Sequence, residues 1–242
     1  MTTLFISDLH LDDKRPDATE CFLRFMRDEA PAAEALYILG DLFEYWLGDD
    51  APTPVGQATA GAIRALTDAG VPCFFTHGNR DFLLGEAFAS HAGLQLLDEE
   101  TVVDLYGRPT VLLHGDTLCT DDVGYQQVRV MLRDPAWQAG FLQKTPQERI
   151  QVALEARELS AEYKQGVAMD IMDVNADAVA ASFARNGVRH MIHGHTHRPA
   201  VHELTLEDAS AAERIVLGDW YEQGSVLRVD ADGAVLETRA LG

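Results

Sequence analysis

The sequence predicts an α/β protein: a β-sandwich core flanked by helices and carrying a helical insertion cap. Three observations carry that reading. Short apolar runs, Leu4-Phe5-Ile6, Leu36-Tyr37-Ile38-Leu39 and Val71 to Thr76, alternate with segments of helical period. The chain then turns antiparallel, beginning at Tyr106-Gly107-Arg108-Pro109, which reads as a hairpin turn between Val102–Leu105 and Thr110–Leu113. Between residues 121 and 174 the strand signals vanish and long helical patterns take over. Two sheets face to face with helices outside would bury these faces economically.

The remaining elements follow from local pattern. Thr19 to Ala30 reads as an amphipathic helix with Phe22, Phe25 and Met26 on one face. Val55 to Ala69 is a second helix, and about Leu84 to Ala92 a short third. The helical stretch breaks near Asp134-Pro135 and Thr145-Pro146. Helix Ala176 to Asn186 stops at Gly187, a C-cap residue. Strands follow at His190-Met191-Ile192, Val201 to Leu206, Ile215 to Leu217, Ser225 to Val229 and Val235 to Arg239. The expected division is a core of residues 1–120 and 175–242 with residues 121–174 inserted as a lid.

Composition sets limits on partners. The chain has 242 residues and a net charge of −20, which argues against nucleic acid and against adhesion to anionic lipid by bulk charge. Cys21, Cys73 and Cys119 are scattered and odd in number, so a reducing compartment is expected rather than a disulfide framework. No targeting segment or membrane-length apolar stretch is visible, and the expected location is cytoplasmic.

Five short pieces end in residues that ligate metals: Asp8-Leu9-His10, Gly40-Asp41, Gly78-Asn79-Arg80-Asp81, His114-Gly115-Asp116 and Gly194-His195-Thr196-His197. Each follows a predicted strand, so their loops can meet at one sheet edge. Asp8 and His10 stand two apart, as do His195 and His197, so an extended segment points each pair the same way. Mixed carboxylate and imidazole donors suit manganese, iron or zinc. Asp41, alone at a strand end, is expected to bridge two metals. Such a pair clamps a phosphoryl group and acidifies the attacking water. Asp81 and Asp116 are expected to orient a ligand or a neighbouring loop. His77, His91, His190, His193 and His202 fit the ligand spacing less well and read as scaffold.

These motifs resemble, in order, those of the calcineurin-like metallophosphoesterases. Longer runs extend the likeness over most of the chain: Gly40-Asp41-Leu42-Phe43-Glu44-Tyr45-Trp46-Leu47-Gly48-Asp49-Asp50, Gly78 to Gly85, His114 to Asp122, Met172-Asp173-Val174-Asn175 and Ile192 to Pro199. They are similar to the manganese-dependent branch that hydrolyses the diphosphate of a diacylated UDP-glucosamine in lipid A biosynthesis. The resemblance implies water attack at the α-phosphorus, giving UMP and a diacylated glucosamine 1-phosphate. It implies a binuclear manganese site, Asp8, His10, Asp41 and His197 on one ion and Asp41, Asn79, His114 and His195 on the other. It also implies a lipid-linked substrate reached peripherally at the cytoplasmic face of the inner membrane. Asn79, Arg80, Asp122, Ser160, Lys164 and His195 would contact that substrate, with Arg80, Asp41 and His195 serving catalysis. Val167 stands where this branch has lysine, which leaves the headgroup contacts open.

Arg80 bears on the reaction. Most relatives carry histidine there, which can protonate an alkoxide leaving group. Arginine holds its proton at any relevant pH but can grip phosphate oxygens. A phosphate leaving group, with a second pKa of about 6, needs little protonation. A phosphoanhydride substrate is therefore expected, unless Arg80 is a structural partner of Asp81. The insertion offers Tyr125, Val128, Met131, Leu132, Trp137, Phe141, Leu142, Ile150 and Leu154, either as the helices' own packing face or as the wall of an acyl chamber. Two other readings stay open, a phosphoesterase acting on a different nucleotide or ester and a non-enzymatic scaffold. The sequence leaves the oligomeric state unspecified.

Overall fold

The computed structural model describes residues 2–166 and 173–241, and the side chains outside 157–172. The first half runs β1 (Thr3–Ile6), α1 (Pro16–Asp28), β2 (Ala35–Leu39), α2 (Pro54–Asp68), β3 (Cys73–Thr76), α3 (Glu86–Ala92), β4 (Leu94–Leu96), β5 (Glu100–Leu105) and β6 (Arg108–Leu113). Then come α4 (Val123–Leu132), α5 (Pro135–Leu142), α6 (Pro146–Gly166) and α7 (Ala176–Asn186). The chain closes with β7 (His190–His193), β8 (Ala200–Thr205), β9 (Ala211–Val216), β10 (Gln223–Val229) and β11 (Ala234–Ala240).

One sheet has the order β11-β10-β1-β2-β3-β4 and the other β5-β6-β7-β9-β8. Strands β1 to β4 run parallel, and β10 and β11 extend that sheet antiparallel. The late antiparallel trend has two exceptions: β7 lies parallel to both β6 and β9, leaving β8 paired with β9 at the sheet edge. The β5–β6 hairpin turns through Tyr106 and Gly107, both at positive φ, the conformation whose twist suits a two-residue hairpin.

Strand alternation explains the layers. Leu4 and Ile6 pack towards α1 and α2, whereas Phe5 joins Leu39, Leu112, Ile192, Ile215 and Leu227 between the sheets. In β6, Val111 and Leu113 pack with Val179 and Phe183 of α7, while Leu112 points to the inter-sheet layer. Burial on both faces is why these strands read as unbroken apolar runs. Each such fully buried side chain contributes about 1.5–3 kcal/mol.

Helix boundaries follow their caps. Pro16 occupies the first turn of α1, so that helix starts before the expected Thr19. Asn175 caps α7 through the amides of Asp177 and Ala178, and Gly187 ends it in the left-handed region. Strand β4, three residues long, escaped sequence reading because so short a run shows no period. The break at Asp134-Pro135 is the start of α5, where Asp134 accepts from the Trp137 amide at 2.8 Å. Arg149 of α6 is buried, bonds Asp50 and donates to the Leu47 carbonyl at 2.9 Å, docking that helix on the loop after β2. Among the described residues no helix is long and apolar enough to cross a membrane.

Candidate metal centre

Asp8 and His10 follow β1, Asp41 follows β2, Asn79 follows β3, His114 follows β6, and His195 and His197 follow β7. All seven therefore leave the carboxyl ends of strands that run in parallel ladders. Backbone bonds sew the loops together: Asp8 N donates to Gly40 O at 3.1 Å, His10 N to Asp41 O at 3.0 Å and Gly194 N to His114 O at 2.8 Å. Other contacts join the ends of one sheet to the other. His114 Nδ1 donates to the Leu39 carbonyl at 2.9 Å, and the His195 amide donates to Asp8 Oδ2 at 2.9 Å.

The backbone is held in a costly form here. Asp8, His10, Asp41, His195 and His197 all adopt positive φ, between 49° and 69°. Among the described residues only Tyr106 and Ala209 share that state without being glycine. Backbone strain of this kind persists where surrounding structure over-determines it, commonly at functional sites. Gly78 and Gly194 let the loops close: a Cβ on either would overlap the carboxylate of Asp41 or Asp8.

The side chains fall into two groups. In one, His197 Nε2 lies 3.3 Å from Asp8 Oδ1 and 3.3 Å from His10 Nε2. In the other, Asn79 Oδ1 lies 3.1 Å from His114 Nε2 and 3.0 Å from His195 Nδ1, with those two nitrogens 3.2 Å apart. Asp41 Oδ2 stands between them, 3.7 Å from His10 Nε2 and 3.8 Å from His114 Nε2. Asp8 also belongs geometrically with Asp41 and His114.

This arrangement fits divalent metal. Asp8 Oδ1 is buried with no hydrogen-bond partner, an expensive state unless a cation meets it. Two pairs of imidazole nitrogens face each other at hydrogen-bond distance, and in each pair one nitrogen at least must present a lone pair. Oxygen and nitrogen donors in this mixture suit a first-row transition metal.

Buried charges set the electrostatics. Burial alone would raise Asp8, yet its contact with His197 and the nearby His114 and His10 hold its carboxyl well below the usual range. Burial would lower His114, but Asp41, Asp8 and Asp116 push it up to about 9. His195 is pushed down to about 3 by burial and by His114. Asp81 rises to about 6 through burial and the charge of Asp41.

Neighbouring residues divide into braces and exposed groups. Asp81 accepts from the amides of Leu42 at 2.7 Å and Gly78 at 2.9 Å, and from Asp41 N at 3.3 Å, so it fastens the Asp41 loop to the Asn79 loop. The carboxylate facing Arg80 is Glu44, with Oε1 3.8 Å from Arg80 Nη1. Asp116 takes the Tyr125 hydroxyl at 2.9 Å and Arg129 Nε at 2.7 Å, anchoring α4 beside His195. Asp122 caps α4 by accepting from the Tyr125 amide at 2.9 Å. The side chains of Ser160 and Lys164, and all of Val167, lie outside the described residues. His77 and His193 bond the carbonyls of Leu84 and Gly194 rather than joining either group.

Sequence reading passed over Ser7, Glu44, Asp219 and Tyr221. Ser7 donates to Asp8 Oδ2 at 2.6 Å, and Asp219 Oδ2 lies 3.4 Å from His197 Nδ1. Gly218-Asp219 follows β9 as Gly40-Asp41 follows β2, a repeated signal that could have pointed to it.

The fold and this centre define a metal-dependent phosphoester hydrolase, and the chain belongs to the calcineurin-like phosphoesterase family, whose model matches residues 1–199. Full-length relatives narrow the comparison. It is 58% identical to a UDP-2,3-diacylglucosamine hydrolase of Stenotrophomonas maltophilia (strain R551-3), over 98% of both chains. A Xanthomonas axonopodis pv. citri (strain 306) protein of the same name is 55% identical over 100% of both.

Proposed function

We propose that this hydrolase cleaves the diphosphate of UDP-2,3-diacylglucosamine, with water attacking the α-phosphorus to give UMP and 2,3-diacylglucosamine 1-phosphate. The observation that carries the substrate is full-length identity to relatives of that name, joined to an arginine at position 80. In this reading Asp8, His10, Asp41 and His197 hold one manganese ion, and Asp41, Asn79, His114 and His195 hold the other. The ions supply Lewis acidity and lower the pKa of the attacking water. Arg80, partly exposed beside the centre, grips the phosphate oxygens and stabilises charge that builds between them. Asn79 and His195 orient the same group. Asp81 keeps the Asp41 and Asn79 loops in register while this happens.

Helices α4, α5 and α6 form the lid of this reading, with residues 121–174 inserted into the core. Phe141 is buried in the main core, while Val128, Met131, Leu142, Ile150 and Leu154 stand exposed. An apolar surface of that kind suits acyl chains. Asp122, Ser160 and Lys164 contact the glucosamine and its phosphate. A lipid-linked substrate places the protein peripherally at the cytoplasmic face of the inner membrane. The test is hydrolysis of the diacylated UDP-sugar after chelation and manganese re-addition, with a cyclic nucleotide and an aryl phosphate in parallel. Preference for either of the latter would refute the assignment.

A further inference from the structure

Glu44 is 7% exposed, three residues beyond Asp41, and an isolated carboxylate buried there would carry a heavy desolvation cost. Its surroundings show what it serves. Oε2 lies 3.0 Å from His10 Nδ1 and accepts from the Tyr221 hydroxyl at 3.1 Å. Oε1 faces Arg80 at 3.8 Å. The approach to His10 Nδ1 is off the hydrogen-bond axis, and that buried nitrogen has no aligned partner. Tyr221 is held in turn: its ring stacks on His10 with centroids 4.8 Å apart, and Arg15 packs 4.8 Å over it. Arg15 also donates to the Trp220 and Tyr221 carbonyls at 2.7 and 3.0 Å.

We propose that Glu44 is a positioning residue that holds His10 through one oxygen and Arg80 through the other, with Tyr221 fixing its carboxylate. A carboxylate on the far nitrogen of a ligating histidine sets the ring's orientation and makes the ligating nitrogen more basic. Here that nitrogen is His10 Nε2, which points to Asp8, Asp41 and His197. The second oxygen keeps the Arg80 guanidinium beside the same centre. Glu44 thus links the affinity of one ligand group to the grip on the phosphate. The inference rests on the two-metal phosphohydrolase reading above.

The experiment is a Mn²⁺ titration of the chelated full chain, compared with Glu44→Gln, Glu44→Ala and Tyr221→Phe, each checked for native folding by circular dichroism. Of two binding steps, the Glu44 variants should weaken one by about 10–100-fold and leave the other within about threefold. Tyr221→Phe should shift the same step by less. The KM of Glu44→Ala for the diphosphate substrate should rise, because Arg80 has lost its anchor. Two unchanged steps, or equal weakening of both, would overturn the proposal. If Glu44→Ala fails to fold, Tyr221→Phe decides on the same criterion. A wild-type protein that takes up one equivalent would overturn the two-metal reading instead, and Glu44 would be judged on that single step.

Discussion

His114 Nδ1 donates to the Leu39 carbonyl across the gap between the two sheets, 2.9 Å away, and this turns Nε2 towards Asn79 Oδ1 at 3.1 Å. The ring joins the end of β6 to the end of β2 and presents a nitrogen to the centre. Burial opposes its charge, but the carboxylates of Asp41, Asp8 and Asp116 raise it to about 9. A histidine raised above its ordinary 6.5 stabilises the fold fully below that pH, and the gain is lost as pH rises through about 9. The metal-free protein should therefore lose thermal stability between pH 6.5 and 9. Metal loading should release a proton in the same window. Melting midpoints of the chelated protein at both ends, and titrations in two buffers of different ionisation enthalpy, measure this. A flat midpoint with no proton release would count against it.

Asp41→Asn should weaken both metal-binding steps, because Asp41 Oδ2 is almost equidistant from His10 and His114, at 3.7 and 3.8 Å. The amide keeps the volume but loses the charge and one acceptor. Metal content after gel filtration reads the outcome. Full occupancy at both positions would argue against bridging.

Arg80→Ala should lower kcat by about 10²–10³-fold, the usual loss when one donor to a developing anion is removed. Bound metal should stay at the wild-type level, since Arg80 supplies no ligand. Arg80→Lys should recover part of the rate, as a point charge without the fork. If Arg80→Ala loses both metals, the assigned role is wrong.

Gly78→Ala places a methyl against the Asp41 side chain, with Cγ at 2.8 Å and Oδ1 closer still. Overpacking of this kind costs about 1–3 kcal/mol. The expected result is a lower urea midpoint for the chelated protein and weakened metal uptake together. Gly61→Ala is the control: nothing lies within 4 Å of its Cβ, and it sits inside α2. There alanine should be neutral or stabilising by about 0.5–1 kcal/mol. Equal effects at both positions would show that Gly78 has no special packing role.

By itself the sequence determined which strands are buried and which residue types stand at their ends. Unbroken apolar runs at β1, β2, β3 and β6 mark strands covered on both faces, and local period marks α2 and α7 closely. The seven candidate donors stood out in the sequence because metal binding narrows the choice of residue type and each stands within four residues of a strand end. The structure brings them together, and their role as ligands is the proposal. Only the tertiary structure decided how those ends meet. Tyr221 reaches Glu44 across 177 positions, and Asp219 reaches His197 from the loop after β9. No local pattern encodes such contacts, because they arise when the two sheets pack and align their carboxyl ends. The positive φ of Asp8, His10, Asp41, His195 and His197 belongs to the same class. A lone Asp or His gives little sign of that state, and the packed loops impose it.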